Sequence, residues 1–304
     1  MQRADRTNHR LSNNVISETE PRKEPIPFQY GIPISTGCEC IDQLLDGIQP
    51  GDLIEFAGPS GCGKSQLSHF TTLQVAHSRP NEPVLFIDSG CAFSAQRCAE
   101  LYNHSDTFKN SRSSVCVTEV LNNIIIEECF EIYELFDLMY NILEDKTLSL
   151  SLIIIDSIGS ILSPLLGPGQ SNGYKILHTL KDLLRQLATK FHIPIILVNI
   201  AVSNSNMTSN RDNYPTTKPA LGQYWHAVPN KRLYFTKSID TLHYHAALLS
   251  GTPVDEENIL SCENSDGIVY KVVEFSVQRL DQPNELRTAK LFIGSLDILS
   301  SFNQ

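Results

Sequence analysis

The sequence GPSGCGKS, residues 58–65, lies between an apolar run and a helical segment, and it constrains this chain more than any other feature. It matches the phosphate-binding pattern G-x-x-x-x-G-K-[ST] at every fixed position. The glycines let backbone N–H groups approach phosphate oxygens, Lys64 supplies a positive charge, and Ser65 offers a hydroxyl to Mg²⁺. We therefore predict that the chain binds a nucleotide through Gly58, Pro59, Ser60, Gly61, Cys62, Gly63, Lys64, Ser65 and Gln66.

Strands and helices alternate along the first two thirds of the chain. Apolar runs predict buried strands at 53–57, 83–88, 150–156 and 193–199. Helical periodicity predicts helices at 41–45, 64–75, 94–104, 132–145 and 173–191. This alternation indicates an α/β fold with a mostly parallel sheet flanked by helices. The last third contains three strand-like runs, KRLYFTK, IVYKVVEFSVQR and AKLFIGSLDI, so we expect antiparallel strands at the C-terminal end.

Composition limits the function classes. Residues 1–27 are polar and almost free of large apolar side chains, which predicts a disordered tail before a core at 28–304. The formal net charge of −10 disfavours strong DNA binding by the chain alone, because DNA-binding proteins usually carry a basic face. We expect no membrane helix and no secretory signal, hence an intracellular protein. Cys38 and Cys40 lack a second pair at zinc spacing, so no metal site is expected there.

A site of this type also needs a carboxylate that holds the water shell of Mg²⁺ at the end of a buried strand. The run LIIIDS supplies Asp156 and the run VLFID supplies Asp88. We favour Asp156, with Ser65, as the Mg²⁺ partner through water. Asp88 is interpreted as a carboxylate that caps the following helix.

Three stretches resemble the RecA/RadA recombinase family. ISTGCECIDQLLDGIQPGDLIEFAGPSGCGKSQ resembles the start of its core, LIIIDSIGSI its metal strand, and KPALGQYWHAVPNKRLYFTK the segment after its second DNA loop. Within this resemblance, SPLLGPGQSNGYKILHTLKDLLRQLA is most similar to eukaryotic recombinase paralogues of the D type, with the short X-ray cross-complementing paralogue next. The resemblance implies a RecA-like P-loop core that binds ATP and Mg²⁺, with Arg97 stacked on adenine. It also implies a nuclear protein of homologous-recombination repair.

Two departures from the family pattern concern ATP hydrolysis. Active members place a glutamate that activates the attacking water where this chain has Gly90, and a γ-phosphate-sensing glutamine where it has Ile200. Glycine cannot accept a proton, so general-base help of about 10²- to 10⁴-fold is unavailable from position 90. We expect the chain to hold ATP and, by itself, to hydrolyse it slowly. A neighbouring subunit could supply missing groups, because the family's sites lie at subunit interfaces.

The resemblance also places two DNA loops, at 163–173 and at about 202–219. The first contains no charged residue, and the second contains Arg211 and Lys218, partly offset by Asp212. Lys and Arg contacts to phosphate supply most nucleic-acid affinity, so we expect single-stranded DNA to be bound weakly or only within a complex. Use of these loops for protein contacts is an equal alternative. Tyr224 and Trp225 could stack on bases, but packing beside the terminal strands is favoured.

Two functions of different classes remain. The first is an ATP-binding recombinase paralogue that joins other paralogue subunits and helps load or stabilise a recombinase filament on single-stranded DNA. The second is a small-molecule P-loop kinase, which is disfavoured because such kinases close an arginine-bearing lid over the phosphates and this chain is arginine-poor after each strand. An active strand-exchange recombinase is disfavoured by Gly90 and Ile200.

Overall fold

The computed structural model describes residues 32–109, 115–145, 147, 149–166, 172–203, 217–237, 244–246, 268–279, 286–294 and 298–301. The tail predicted at residues 1–27, the interiors of both predicted DNA loops and Arg211 lie outside these ranges. No helix in the described part of the chain combines the length and apolarity needed to cross a membrane.

The elements alternate along the chain as predicted. The helices are α1 (Glu39–Leu45), α2 (Lys64–Ser78), α3 (Ala95–His104), α4 (Asp106–Lys109), α5 (Val117–Asn122), α6 (Ile132–Glu144), α7 (Ile158–Leu162), α8 (Gly173–Phe191) and α9 (Gly222–His226). The strands are β1 (Leu53–Gly58), β2 (Val84–Asp88), β3 (Ile124–Glu128), β4 (Leu152–Asp156), β5 (Ile195–Ser203), β6 (Thr217–Pro219), β7 (Lys231–Lys237), β8 (Tyr244–Ala246), β9 (Ile268–Arg279), β10 (Leu286–Gly294) and β11 (Ile298–Ser301).

One twisted sheet contains all of these strands. Its main order is β11-β10-β9-β7-β1-β5-β4-β2-β3, with β6 paired to β5 and β8 paired to β9. From β3 to β7 the neighbouring strands on this path are parallel. From β7 to β11 they are antiparallel. The predicted parallel sheet with an antiparallel C-terminal end is therefore confirmed, and β7 is the strand where the direction changes.

The central strands are apolar because helices cover both of their faces. In β4 every residue is buried, and successive side chains enter two different cores. Ile154 packs in the core that contains α1 and α2, whereas Ile153 and Ile155 pack in the core that contains α6 and α8. The apolar stripe predicted on α8 lies in this second core, with Leu180, Leu184 and Leu187 fully buried.

Sequence patterns did not predict β3 or the short helices α4, α5 and α7. β3 is the edge strand beside β2, and only its first residue, Ile124, is buried. Ile126 is 44% exposed, and Glu127 and Glu128 are exposed. Three apolar residues followed by two acidic ones match neither the alternation of a half-buried strand nor the continuous apolar run of a buried one.

Candidate functional site

The phosphate-binding sequence forms a loop between β1 and α2. Gly61 and Gly63 adopt left-handed backbone conformations, with φ of 72° and 88°, which side chains disfavour. α2 begins at Lys64, and no side chain caps its N-terminus. The N–H groups of its first turn are therefore directed at the loop, as in helix N-termini that bind phosphate.

The Lys64 side chain lies across this loop. Its Nζ donates hydrogen bonds to the carbonyl oxygens of Gly58, at 2.9 Å, and of Pro59, at 2.8 Å. Lys64 is only 8% exposed, so its side chain is buried within the loop. A buried ammonium group needs hydrogen-bond acceptors, and the carbonyl groups of Gly58 and Pro59 at the start of the loop supply them.

Asp156 ends β4 next to this loop. The Ser65 hydroxyl hydrogen-bonds its carboxylate, while Oδ2 is buried and has no hydrogen-bond partner. Burial raises the pKa of Asp156 above its ordinary value, and the charge of Asp88 raises it further, whereas Ser65 and Lys64 act in the opposite direction. A buried carboxylate oxygen without a partner, beside a hydroxyl, matches the oxygen ligands that Mg²⁺ prefers. These residues therefore fit a magnesium ion.

Asp88 lies beside Asp156, in register across the β2–β4 pair. Its Oδ1 accepts a hydrogen bond from Gly90 N at 2.9 Å, and its Oδ2 accepts one from Phe93 N at 2.7 Å. The helix that follows is instead capped by Ser94, whose hydroxyl accepts from Arg97 N. Asp88 thus holds the loop before α3, and the prediction that it caps this helix is wrong. Both of its oxygens are engaged, which leaves Asp156 as the better metal partner.

Position 90 opens into empty space. A Cβ built on Gly90 meets no atom within 4 Å, and the residue is exposed. Ile200, at the other departure from the family pattern, is 38% exposed and lies opposite Gly58 in the β1–β5 pair. Both positions lie at the edge of the sheet where the phosphate loop begins, and neither side chain can accept or donate a proton.

His69 adds packing rather than charge to this edge. It lies on α2, with its ring centroid 5.4 Å from that of Phe86 and 5.1 Å from that of Phe93. Burial lowers the pKa of His69 to about 4, with a smaller upward effect of Asp88 and a downward effect of Arg97. The imidazole is therefore neutral at pH 7.

The remaining predicted site residues lie on the surface or outside the described ranges. Arg97 is on α3 with its side chain 31% exposed and Nη1 3.6 Å from Glu100 Oε2. Its contact with adenine stays a prediction. Lys218 is exposed on β6, opposite Val202. Its proposed DNA contact, like that of Arg211, also stays a prediction.

The two aromatic residues near the second loop have different surroundings. Trp225 is fully buried, so it is excluded from stacking on bases. Tyr224 is 58% exposed, and its ring centroid lies 4.6 Å from that of Tyr174 at the start of α8. Tyr224 thus contacts α8, and its packing beside the terminal strands stays a prediction.

A cluster of buried polar side chains that the sequence analysis did not predict lies on β1, β5, α9 and β7. Glu55 Oε1 accepts hydrogen bonds from Asn199 Nδ2 at 2.7 Å and from Trp225 Nε1 at 2.8 Å, and Oε2 accepts one from Arg232 Nε. Glu55, Asn199 and Trp225 are fully buried. We call Glu55, Asn199, Trp225 and Arg232 the Glu55 cluster. The signal that could have found it is one glutamate inside the otherwise apolar strand LIEFA.

Comparison with known proteins identifies the family. The Rad51 family model matches residues 29–267. The chain belongs to the Rad51 family. The RecA-type fold of this family agrees with a solved structure, the crystal structure of the RadB recombinase, which is similar with a TM-score of 0.61 and 19% identity over 88% of this chain and 100% of that one.

Curated relatives place the chain among the recombinase paralogues. It is 28% identical over 208 residues to the DNA repair protein RAD51 homolog 4 of Bos taurus, covering 66% of this chain and 60% of that protein. A probable RAD51 homolog 4 of Dictyostelium discoideum is 26% identical over 238 residues, covering 66% and 64%. An XRCC3 homolog of Arabidopsis thaliana is 28% identical over 233 residues, covering 67% and 76%. The chain thus spans 60% and 64% of the first two relatives. The predicted resemblance to this family is confirmed.

Replacing Asp156 by asparagine should stabilise the protein in metal-free buffer. Because its pKa is raised in the folded state, ionisation of Asp156 opposes folding, and this cost is absent at low pH and present once pH exceeds the raised pKa. We therefore expect Asp156→Asn to raise the free energy of unfolding at pH 7. The gain should disappear below the ordinary carboxyl pKa of 3.8. Urea unfolding at several pH values measures both effects.

The neighbouring carboxylate provides the matched control for this experiment. Asp88→Asn loses an acceptor for either Gly90 N or Phe93 N, so it should destabilise the protein at the same pH. Equal destabilisation by both variants would contradict the assignment of an unpartnered oxygen to Asp156.

Proposed function

We propose that this chain is an ATP- and Mg²⁺-binding subunit that acts in homologous-recombination DNA repair. Its role is that of an accessory protein that helps load or stabilise a recombinase filament on single-stranded DNA. The observation that carries this proposal is a complete phosphate loop beside Asp156, on a chain of the Rad51 family. Relatives named as DNA repair proteins in animals, plants and an amoeba support the repair role.

Each residue of the loop has a defined task in nucleotide binding. The N–H groups at the start of α2 bind phosphate oxygens, and Lys64 exchanges the carbonyls of Gly58 and Pro59 for phosphate oxygens. Ser65 and Asp156, which are hydrogen-bonded to each other, would hold the magnesium ion, Asp156 through water. Bound Mg²⁺ neutralises part of the triphosphate charge. Arg97 covers the adenine from α3.

The site holds ATP better than it cleaves it. Position 90 carries no side chain, and Ile200 is apolar, so this chain offers no base and no γ-phosphate hydrogen bond at the two positions where active relatives of the RecA type use them. Turnover by the isolated chain is slow for this reason. Groups from a neighbouring subunit complete the site only if the chain assembles with other family members.

The charge of the chain supports a role inside an assembly. A net charge of −10 repels DNA phosphates, and Arg211 and Lys218 are the cations of the second loop. Other recombinase paralogue subunits are the partners that we propose, in a nuclear complex that contacts single-stranded DNA. The kinase alternative lacks a specific observation in its favour.

Removing the Lys64 side chain should abolish nucleotide binding. Lys64→Ala deletes the charge that faces the phosphates and also two hydrogen bonds within the loop. We expect no measurable binding of a fluorescent ATP analogue with Mg²⁺, together with a modest loss of stability in thermal unfolding. Lys175→Ala, which removes an exposed lysine of α8, should bind like the unmodified chain. Unchanged affinity in Lys64→Ala would refute the phosphate-loop assignment.

Restoring a carboxylate at position 90 should accelerate hydrolysis. A Cβ at position 90 meets no other atom within 4 Å, so a side chain can begin there, and a general base contributes about 10²-fold or more. Gly90→Glu should therefore raise ATP turnover by about 10²-fold over the slow unmodified chain. Gly90→Gln has the same size but accepts no proton, so it should stay slow. Equal rates for the two variants, measured as phosphate release, would argue against a missing base.

The accessory role is tested by isolating the complex. Affinity purification with mass spectrometry should recover other RecA-type subunits with the tagged chain. The purified complex should bind single-stranded DNA more tightly than the chain alone. Arg211→Ala combined with Lys218→Ala should lower that affinity and flatten its salt dependence. Recovery of the chain without RecA-type partners, or phosphorylation of a small alcohol by the purified chain, would favour the kinase alternative.

A further inference from the structure

The Glu55 cluster includes a residue of the strand that leads into the phosphate loop. Glu55 is three residues before Gly58, on the strand that leads into the loop. In the β1–β5 pair, Ala57 is opposite Asn199 and Gly58 is opposite Ile200. Asn199 therefore connects Glu55 to the strand that lies between the loop and Asp156.

The cluster also holds the segment that follows the second loop. Asn199 Nδ2 donates to the Ala220 carbonyl at 3.3 Å, Trp225 donates to Glu55, and an Arg232 Nη2 donates to the His226 carbonyl at 3.4 Å. One further bond ties the same segment to β5, from Ala220 N to the Ile200 carbonyl at 2.9 Å. Residues 220–226 are thus fixed at both ends by groups of the cluster or of its strand.

This segment is strained where the cluster holds it. Leu221 has a φ of 74°, a left-handed conformation that a leucine rarely adopts, and it is 8% exposed. Such a conformation persists only where the surrounding contacts impose it. The contacts around Leu221 include the bonds that Ala220 makes with Asn199 and Ile200. A shift of β5 would therefore change the segment rather than be absorbed elsewhere.

The cluster contacts the metal side of the site as well. Asn199 Oδ1 accepts a hydrogen bond from Ile200 N at 2.8 Å, and a Cβ at Gly159 would lie only 2.7 Å from the same oxygen. Gly159 belongs to α7, which begins two residues after Asp156. The Asn199 amide is therefore packed between the helix that follows Asp156 and the carboxylate of Glu55.

We infer that Glu55 is a positioning residue that couples nucleotide binding at the phosphate loop to the conformation of residues 217–228. The inference rests on the proposed function, because it requires that the loop binds a nucleotide. When Lys64 exchanges the Gly58 carbonyl for a phosphate oxygen, Gly58 and its partner Ile200 adjust together. Asn199 and Glu55 pass this adjustment to Ala220 and Trp225. The segment beside the second loop thereby reports whether the site is filled.

The chain contains a built-in reporter of this coupling. Trp225 is its one tryptophan, and the indole N–H is bonded to Glu55. Addition of Mg²⁺ and a non-hydrolysable ATP analogue to the full chain should change the fluorescence emission of Trp225, excited at the red edge of the tryptophan absorption band. Hydrogen exchange at the amides of residues 217–228 should slow by about fivefold or more. Fivefold is the lower limit of the typical coupling between two binding sites. Analogue binding is measured on the same samples by equilibrium dialysis.

A second buried ion pair, between the residue before β1 and the first residue of β7, provides the control. Asp52 pairs with Lys231 at 2.7 Å, at the opposite end of β1 from the phosphate loop. Glu55→Gln should lose the Trp225 and exchange responses while still binding the analogue, whereas Asp52→Asn should keep them. Asn199→Ser, which leaves the pair of Glu55 and Arg232 intact, should also lose the exchange response and replaces Glu55→Gln if that variant does not fold.

The outcomes separate this inference from the proposed function. A bound analogue with unchanged emission and exchange in the unmodified chain would overturn the coupling and leave nucleotide binding in place. The same conclusion follows if the Glu55 and Asn199 variants respond as the unmodified chain does, or if Asp52→Asn loses the response equally. Absence of analogue binding by the unmodified chain would refute the proposed function and the coupling with it.

Discussion

Parallel pairing of apolar strands is the constraint on which the rest of this structure depends. β2, β4, β1 and the first five residues of β5 are buried by helices on both faces, and parallel strands end at the same edge of a sheet. Their register places Asp88 beside Asp156, and Gly58 opposite Ile200, although these residues are far apart in the chain. The phosphate loop and its carboxylates meet because the backbone pairs, at the edge where open α/β sheets bind ligands.

Local patterns predict most of the fold, because strands buried on both faces have continuous apolar runs and helices buried on one face have apolar residues at helical spacing. The limits of α8, 173–191, follow from its leucine stripe, and β4 follows from LIIID. β3 could not be predicted in this way. An edge strand needs only one buried residue, and Ile124 with its acidic neighbours leaves no pattern that separates a strand from a turn.

In the candidate site too, features that depend on local sequence could be predicted, whereas features that depend on distant contacts could not. The loop residues are predictable because a single short motif contains them. The pairing of Asp156 with Ser65 is predictable because Asp156 ends one parallel strand and Ser65 lies just after the loop that follows another. In the Glu55 cluster, Glu55 is separated from its three partners by 144, 170 and 177 positions in the sequence. No short sequence window therefore contains Glu55 together with a partner. Burial of Lys64 cannot be predicted for a related reason. Its hydrogen-bond acceptors are backbone carbonyl groups, which every residue has and no sequence pattern marks.

The two ion pairs that β7 makes, with Asp52 just before β1 and with Glu55 on β1, have a consequence for folding. Lys231 and Arg232 are adjacent, so they project to opposite faces of β7, one towards Asp52 and one towards Glu55. A slip of one residue would turn both cations to the wrong face and leave two buried carboxylates without a cation. The C-terminal part of the chain, which joins the sheet late in sequence order, therefore has one alignment beside β1 in which Asp52 and Glu55 both have a cation. Electrostatics therefore disfavours a misaligned sheet.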